Sequence, residues 1–465
     1  MEIYKKLIKN SWIFAIANLG SKLITILLVP FYTYVLNTSQ YGTVDIMITS
    51  ISLLLPLINL SIFEGTLRFS IKSEYDSKNI LSTSIIVILV SNFIFILMYP
   101  LLTNIPIIKE YVNIFYLILF IQGINLVFSQ FLRGIGRINT FAFNGIIITV
   151  FTVILNIIFL VKFNMGVIGY MLSILLANII SSIFMIFSEK IWIYINFKKY
   201  NGKLLHEMLS YSIPLIPNSL MWWIMNLSDR YAITIFLGVS ANGLYAVANK
   251  IPSLLNLLNS IFFQAWQLSA IEECEDENKS HFYSNVFNAF SIIMLISTSI
   301  IILFIKPLVK FFISNEFSES WKYTPFLLLG IVFSSFSGFL GTNYIAMKKT
   351  KGIFKSSLIG AIINIILNVV LISMIGLNGA AIATMISFFI VWIIRIYDTR
   401  EFVKIKIDVK KFCINILFIF IQILVLYLDF TFNILIQILL LFIILLLNVK
   451  EIKLFLDKII VINKK

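Results

Sequence analysis

Asp229, Arg230 and Lys250 fall inside an otherwise apolar stretch, residues 209–263. A charge at the centre of a membrane-spanning helix costs about 2.5–3.5 kcal/mol on insertion scales. Such residues face a bundle interior or a wet cavity, and they point to function. Four further charges, Lys22, Asp45, Glu64 and Arg68, lie in or beside apolar runs near the N-terminus. Two chemistries suit this set. The cations can hold a phosphate, the guanidinium groups by forked hydrogen bonds. The acids can carry a coupling ion, H+ or Na+, or simply neutralise the cations. Glu64 and Arg68 stand i,i+4 in the favourable order for a pair on one helix face. Asp229 and Lys250 lie at similar depths, roughly 12 Å at helical rise, below a turn near Gly238 to Gly243. That spacing predicts an internal pair across two helices. Pro214 and Pro217 remove amide donors just ahead of the charges and predict a bending point.

The elements that carry these residues are membrane helices. Of the 465 residues, 60% are hydrophobic and 12% charged, against about a quarter charged in a soluble domain. The apolar residues come in long runs without period-2 alternation, which selects an all-α polytopic membrane protein over a barrel. About fourteen spans are expected, at 11–36, 43–63, 80–100, 112–132, 140–161, 166–187, 209–237, 242–264, 283–305, 324–346, 353–375, 377–395, 412–428 and 431–448. The N-terminal apolar run is too long for a cleavable signal and reads as a retained first helix. The expected organisation is a six-helix lobe over 1–187, a basic cytoplasmic connector over 188–208, a second six-helix lobe over 209–400, and a helix pair with a basic tail over 401–465.

The net charge of +14 calls for no nucleic-acid partner, because topology accounts for it. With the N-terminus inside, most of the 36 Lys and Arg fall in inner loops and tails. The outer loops hold five: Lys109, Lys162, Lys306, Lys310 and Lys322. That bias places both termini in the cytoplasm. Cys274 and Cys413 then sit on the reducing side, where a structural disulfide is not expected. Arg133 and Arg137, and Lys348, Lys349 and Lys351 in the later loop, read as topology charges at the inner mouth.

The two lobes resemble each other. Leu36 to Gly42 matches Leu237 to Gly243, and Arg137 through Asn156 and Gly166 to Gly169 matches Lys349 through Asn368 and Gly376 to Gly379. Parallel six-span repeats are a transporter design with the substrate between halves. The charges concentrate in the first two spans of each half, which points to one shared polar pathway.

Ser228-Asp229-Arg230-Tyr231, Leu237-Gly238, Asn242 to Ile251, Gln264-Ala265-Trp266 and Leu367-Asn368 with Gly376 to Thr384 resemble the polysaccharide flippases of the multidrug/oligosaccharidyl-lipid/polysaccharide (MATE-like) exporter superfamily. The resemblance covers nearly the whole chain. It implies two six-helix lobes around a V-shaped cavity that opens alternately inward and outward in a bacterial cell membrane. It further implies that an undecaprenyl-diphosphate-linked oligosaccharide is flipped to the outer leaflet for cell-surface polysaccharide synthesis. Polysaccharide polymerases and glycosyltransferases would be the associated partners. Lys22, Arg68, Arg230 and Lys250 are then the expected substrate-binding cations. Asp45, Glu64 and Asp229 dilute that positive potential and are the expected coupling or pairing acids. The alternative within the same fold is a cation-coupled multidrug exporter with Asp229 as its switch. An enzyme is not expected: the outer loops are short, His206 and His281 have no ligand spacing, and neither a nucleophile nor a metal or nucleotide motif stands out.

Overall fold

In hydrocarbon every backbone amide and carbonyl must be satisfied within the protein, which leaves helices or closed barrels. The computed structural model describes residues 20–451 apart from 21–22, 72–74, 200, 273–278, 348, 402, 429–431 and 450. The described residues are helical, with no strand among them. They divide into two compact units, Met1–Trp223 and Ile224–Lys465. Lys22, Lys348, Cys274 and Asp429 lie outside the described residues.

The first unit contains α1 (Val29–Val35), α2 (Thr38–Ile58), α3 (Ile62–Ile71), α4 (Ser77–Ile96), α5 (Val112–Gly134), α6 (Ile138–Asn156), α7 (Gly166–Ser188) and α8 (Gly202–Ser212). Helix α9 (Ile216–Leu227) carries the border between the units. The second unit contains α10 (Asp229–Leu237), α11 (Val239–Ala248), α12 (Pro252–Glu272), α13 (Lys279–Phe312), α14 (Thr324–Ala346), α15 (Thr350–Ile375), α16 (Leu377–Thr399), α17 (Val409–Tyr427) and α18 (Asn433–Leu447).

Ten helices among the described residues are long and apolar enough to cross a membrane. Three shorter apolar helices, Leu23–Val35, Pro252–Phe263 and Asn433–Leu447, fall on further expected spans. The remaining expected span, 209–237, is a run of separate pieces. A 3-10 turn at Ile213–Leu215 contains Pro214, α9 begins just before Pro217, and α10 restarts at Asp229. Each proline withdraws an amide from the helical ladder, which is why the ladder resets there. The connector after α7 consists of short 3-10 turns at Ile191–Tyr194 and Phe197–Lys199 leading into α8, which packs on α3 and α4.

The repeat has a backbone counterpart. Gly166 at the start of α7 and Gly376 at the cap of α16 are repeat-equivalent, and both have positive φ, +52° and +64°. A Cβ is disfavoured there, so glycine permits the sharp entry into the last helix of each lobe. The loops repeat as well. Arg137 pairs with Glu189 at 3.3 Å in the first unit, and Lys349 approaches Glu401 at 3.9 Å in the second. These exposed pairs are worth little in energy; their shared spacing marks the duplication.

The added helix pair α17–α18 is held by amide side chains. Asn415 and Asn448 exchange hydrogen bonds of 2.9 and 3.3 Å. Gln422 and Gln437 each donate to the other's backbone carbonyl, and Ser299 of α13 donates to Gln422.

Candidate functional site

The first helix of each lobe is broken. In the first unit a turn at Leu28 separates Leu23–Leu27 from α1, and Pro30 supplies the cause. In the second unit the turn is at Ser228, within one residue of the position the repeat predicts. A break frees backbone groups that lipid cannot satisfy, so neighbouring side chains must. The fifth helix of each lobe places an asparagine side chain against the polar side chains at the break. Asn156 at the end of α6 donates to the Tyr32 hydroxyl at 2.8 Å. On α15, the Asn364 side-chain carbonyl accepts from Ser228 at 3.2 Å and from Asn368 at 3.0 Å. Asn156 and Asn368 are repeat-equivalent, so the duplication reaches the polar groups as well as the helices.

The charges of the second unit gather at this break. Asp229 and Arg230 are 2% and 6% exposed. One carboxylate oxygen of Asp229 accepts from the Arg230 guanidinium at 2.7 Å and from the Arg230 amide at 3.0 Å. The other accepts from the Tyr245 hydroxyl of α11 at 2.5 Å. The guanidinium also donates to the Asn226 carbonyl and lies 5.6 Å from the centre of the Tyr245 ring. Spacing alone pairs Asp229 with Lys250. The structure instead fills the carboxylate with Arg230 and Tyr245. The reason is that α11 ends at Ala248, so Lys250 falls in a turn before Pro252 rather than on a continuous helix. Tyr245, one turn nearer the hairpin, is the α11 residue at the depth of Asp229.

In the first unit Asp45 is half-buried on α2, among the buried residues Val44, Ile46 and Met47. That helix carries Pro56 and ends at Ile58. Leu60 and Ser61 take left-handed conformations before α3 begins, so Glu64 and Arg68 ride a separate helix, half-buried and exposed respectively. The second helix of each lobe is thus interrupted too, at Asn59–Ser61 and at Asn249–Ile251. Asp229 and Arg230 come together within the second unit, while Asp45, Glu64 and Arg68 belong to the first.

Sequence reading does not single out Arg395, the last residue of the expected span 377–395, yet it is 1% exposed inside α16. Its guanidinium donates to Ser356 at 3.0 Å, to Ser357 at 3.0 Å and to the Ser337 carbonyl at 2.8 Å. It therefore ties α14, α15 and α16 together. The matching three helices of the first unit use amides: Asn125 and Asn144 exchange hydrogen bonds, Asn125 donates to Ser182, and Ser181 donates to Asn144. Ser337 and Ser356 stand at the repeat positions of Asn125 and Asn144. The adjacent serines at 356–357 below a C-terminal arginine were the available signal.

The family model described as "Polysaccharide biosynthesis protein" matches residues 7–267, and the MatE model matches residues 276–370. Over 220 residues the chain is 24% identical to a protein of Haloferax volcanii named "Probable low-salt glycan biosynthesis flippase Agl15", covering 46% of each. The chain thus spans less than half the length of that curated relative. Among solved structures, "Lipid II flippase MurJ, inward closed conformation" superposes with a TM-score of 0.71 at 18% identity, covering 96% of this chain and 99% of that one. An inward-facing "multidrug resistance MATE family transporter of the MOP superfamily" superposes with a TM-score of 0.65 at 16% identity, covering 83% of this chain and 93% of that one. These likenesses establish the fold, and with a family model spanning more than half its residues the chain belongs to the polysaccharide biosynthesis protein family.

Proposed function

We propose that the protein is a flippase that moves a lipid-linked oligosaccharide from the cytoplasmic to the outer leaflet of the cell membrane by alternating access. The observation that carries this reading is the break in the first helix of both lobes, each lined with hydrogen-bonding side chains. Discontinuous helices at repeat-related positions are how transporters expose polar groups at mid-membrane.

In this reading the diphosphate is the handle, and Lys22, Arg68, Arg230 and Lys250 are the cations that meet it. Arg230 is occupied by Asp229 in the resting arrangement. A diphosphate therefore has to take the guanidinium from Asp229, and a proton or Na+ arriving at the freed carboxylate keeps that exchange neutral. Binding of substrate and of coupling ion are linked through one pair. Asp45 and Glu64 supply the opposite lobe's acids, and the interruptions at Pro214 and Pro217 supply bending points. Both termini face the cytoplasm, as the lysine and arginine bias requires.

Purified protein in liposomes, given a defined polyprenyl-diphosphate sugar and an imposed proton or sodium gradient, tests this directly. Outer-leaflet delivery is expected, lost in Arg230→Gln and uncoupled from the gradient in Asp229→Asn. Wild-type delivery by both variants would remove the proposed roles. The MatE match at residues 276–370 favours a second reading, cation-coupled drug export through the same Asp229. Gradient-dependent efflux of lipophilic cations with no sugar-lipid delivery would select it.

A further inference from the structure

The second unit holds a cavity of about 500 Å³ whose lining includes none of the charges of α10 and α11. Asn285 and Asn288 of α13, Asp408 and Lys411 at the start of α17, and Glu451 beyond α18 surround its polar part. Ile292 and Leu295 of α13, both buried, form its apolar part. Asn285 and Asp408 are exposed whereas Leu295 is enclosed, and ten residues of helix separate Asn285 from Leu295, about 15 Å at helical rise. The cavity therefore runs from a wet, charged mouth at the helix ends to an oily floor. That is the outline of an amphiphile lying at the membrane boundary.

The charges at the mouth narrow the class. Lys411 Nζ lies 2.5 Å from Glu451 Oε2, with the two side chains 22% and 33% exposed. Asp408 accepts from the Lys411 amide at 3.0 Å and caps α17. Among the described residues the lining thus holds one cation and two carboxylates. An anionic headgroup would gain Lys411 but face both acids. A headgroup carrying a phosphodiester and a primary ammonium can open the Lys411–Glu451 pair and satisfy both halves: phosphate to Lys411 and the asparagine amides, ammonium to Glu451 and Asp408. The pair is mostly covered, so the zwitterion has to replace it group for group, and it leaves no charge uncompensated.

We propose that this cavity is a headgroup site for a bilayer phospholipid of the phosphatidylethanolamine type. The site rests on neither the transported substrate nor its route. The test uses the delipidated full-length protein in detergent, titrated with dioleoyl phosphatidylethanolamine, phosphatidylglycerol or phosphatidylcholine and read by native mass spectrometry. Phosphatidylethanolamine is expected to bind about tenfold more tightly than phosphatidylglycerol, the scale of one charge-assisted contact. Glu451→Gln is expected to erase that preference, and Lys411→Met to weaken both lipids. Asp408→Asn keeps a capping side chain and serves as the milder variant, with a partial loss expected. Equal wild-type affinity for the two lipids, or a preference that survives Glu451→Gln, would overturn the proposal. So would competition by soluble glycerophosphoethanolamine as effective as the lipid, since the ligand would then not need the bilayer.

Discussion

Asp229 and Arg230 show how a membrane protein carries charges it cannot hydrate. Each buried group alone would be costly; together, with Tyr245, they form one hydrogen-bonded set. Removing one partner of such a pair costs about 3–5 kcal/mol, because the other charge is stranded, whereas replacing both is far milder. Asp229→Asn and Arg230→Met are therefore expected to lower the unfolding temperature in detergent more than the double variant does. A double variant less stable than either single one would show that the pair is not the unit. Arg395 poses the same problem without an acid at its hydrogen-bonded positions: three neutral oxygens receive its fork. A lysine keeps the charge but cannot reach three partners in a plane. The expected order of thermal stability is wild type, then Arg395→Met, then Arg395→Lys, and a lysine variant as stable as wild type would deny the fork its role.

At the scale of elements, the telling features are interruptions. Proline explains the breaks at Leu28 and at Ile213–Leu215, and the turn ahead of Pro252. Glycine explains the sharp starts of α7 and α16. Gly376→Ala would put a Cβ where φ is +64°, at a cost of about 1 kcal/mol or more. It should lower the unfolding temperature while leaving the helix content measured by circular dichroism intact. No drop would mean that the entry to α16 can relax. Pro30→Ala tests the converse: restoring an amide at the break lets α1 extend through Leu28. If the break matters for transport, that variant should insert normally and deliver less sugar-lipid. Full delivery would separate the break from function.

For the whole molecule the relevant quantities are topology and coupling. On the proposed reading, two six-helix lobes and an added pair put both ends on one side of the membrane. Tags at the two termini should be equally protected from an external protease in intact cells, and digestion of only one would mean that a span has been miscounted. In the liposome assay, delivery should depend on whichever gradient the Asp229 carboxylate senses, and that dependence should vanish with Asp229→Asn even where some downhill flipping survives. A variant that still follows the gradient would move the coupling site elsewhere, Asp45 and Glu64 being the next acids to test.

Much of this was legible without coordinates. Long apolar runs admit one solution in lipid, so the helical class and the span positions follow from composition and length alone. The duplication followed from matched residues, Gly166 with Gly376 and Asn156 with Asn368, because a shared backbone need leaves a shared residue. What spacing could not decide was who meets whom. It paired Asp229 with Lys250 by depth along two ideal helices, yet α11 stops at Ala248 and the tyrosine a turn higher reaches the carboxylate first. It left Arg395 unremarked at the end of an apolar span, because hydropathy sees only that the run has ended and not that three serine sites on other helices converge there. Period and hydropathy are properties of one segment. Partners, breaks and burial belong to several segments at once, and only their packing assigns them.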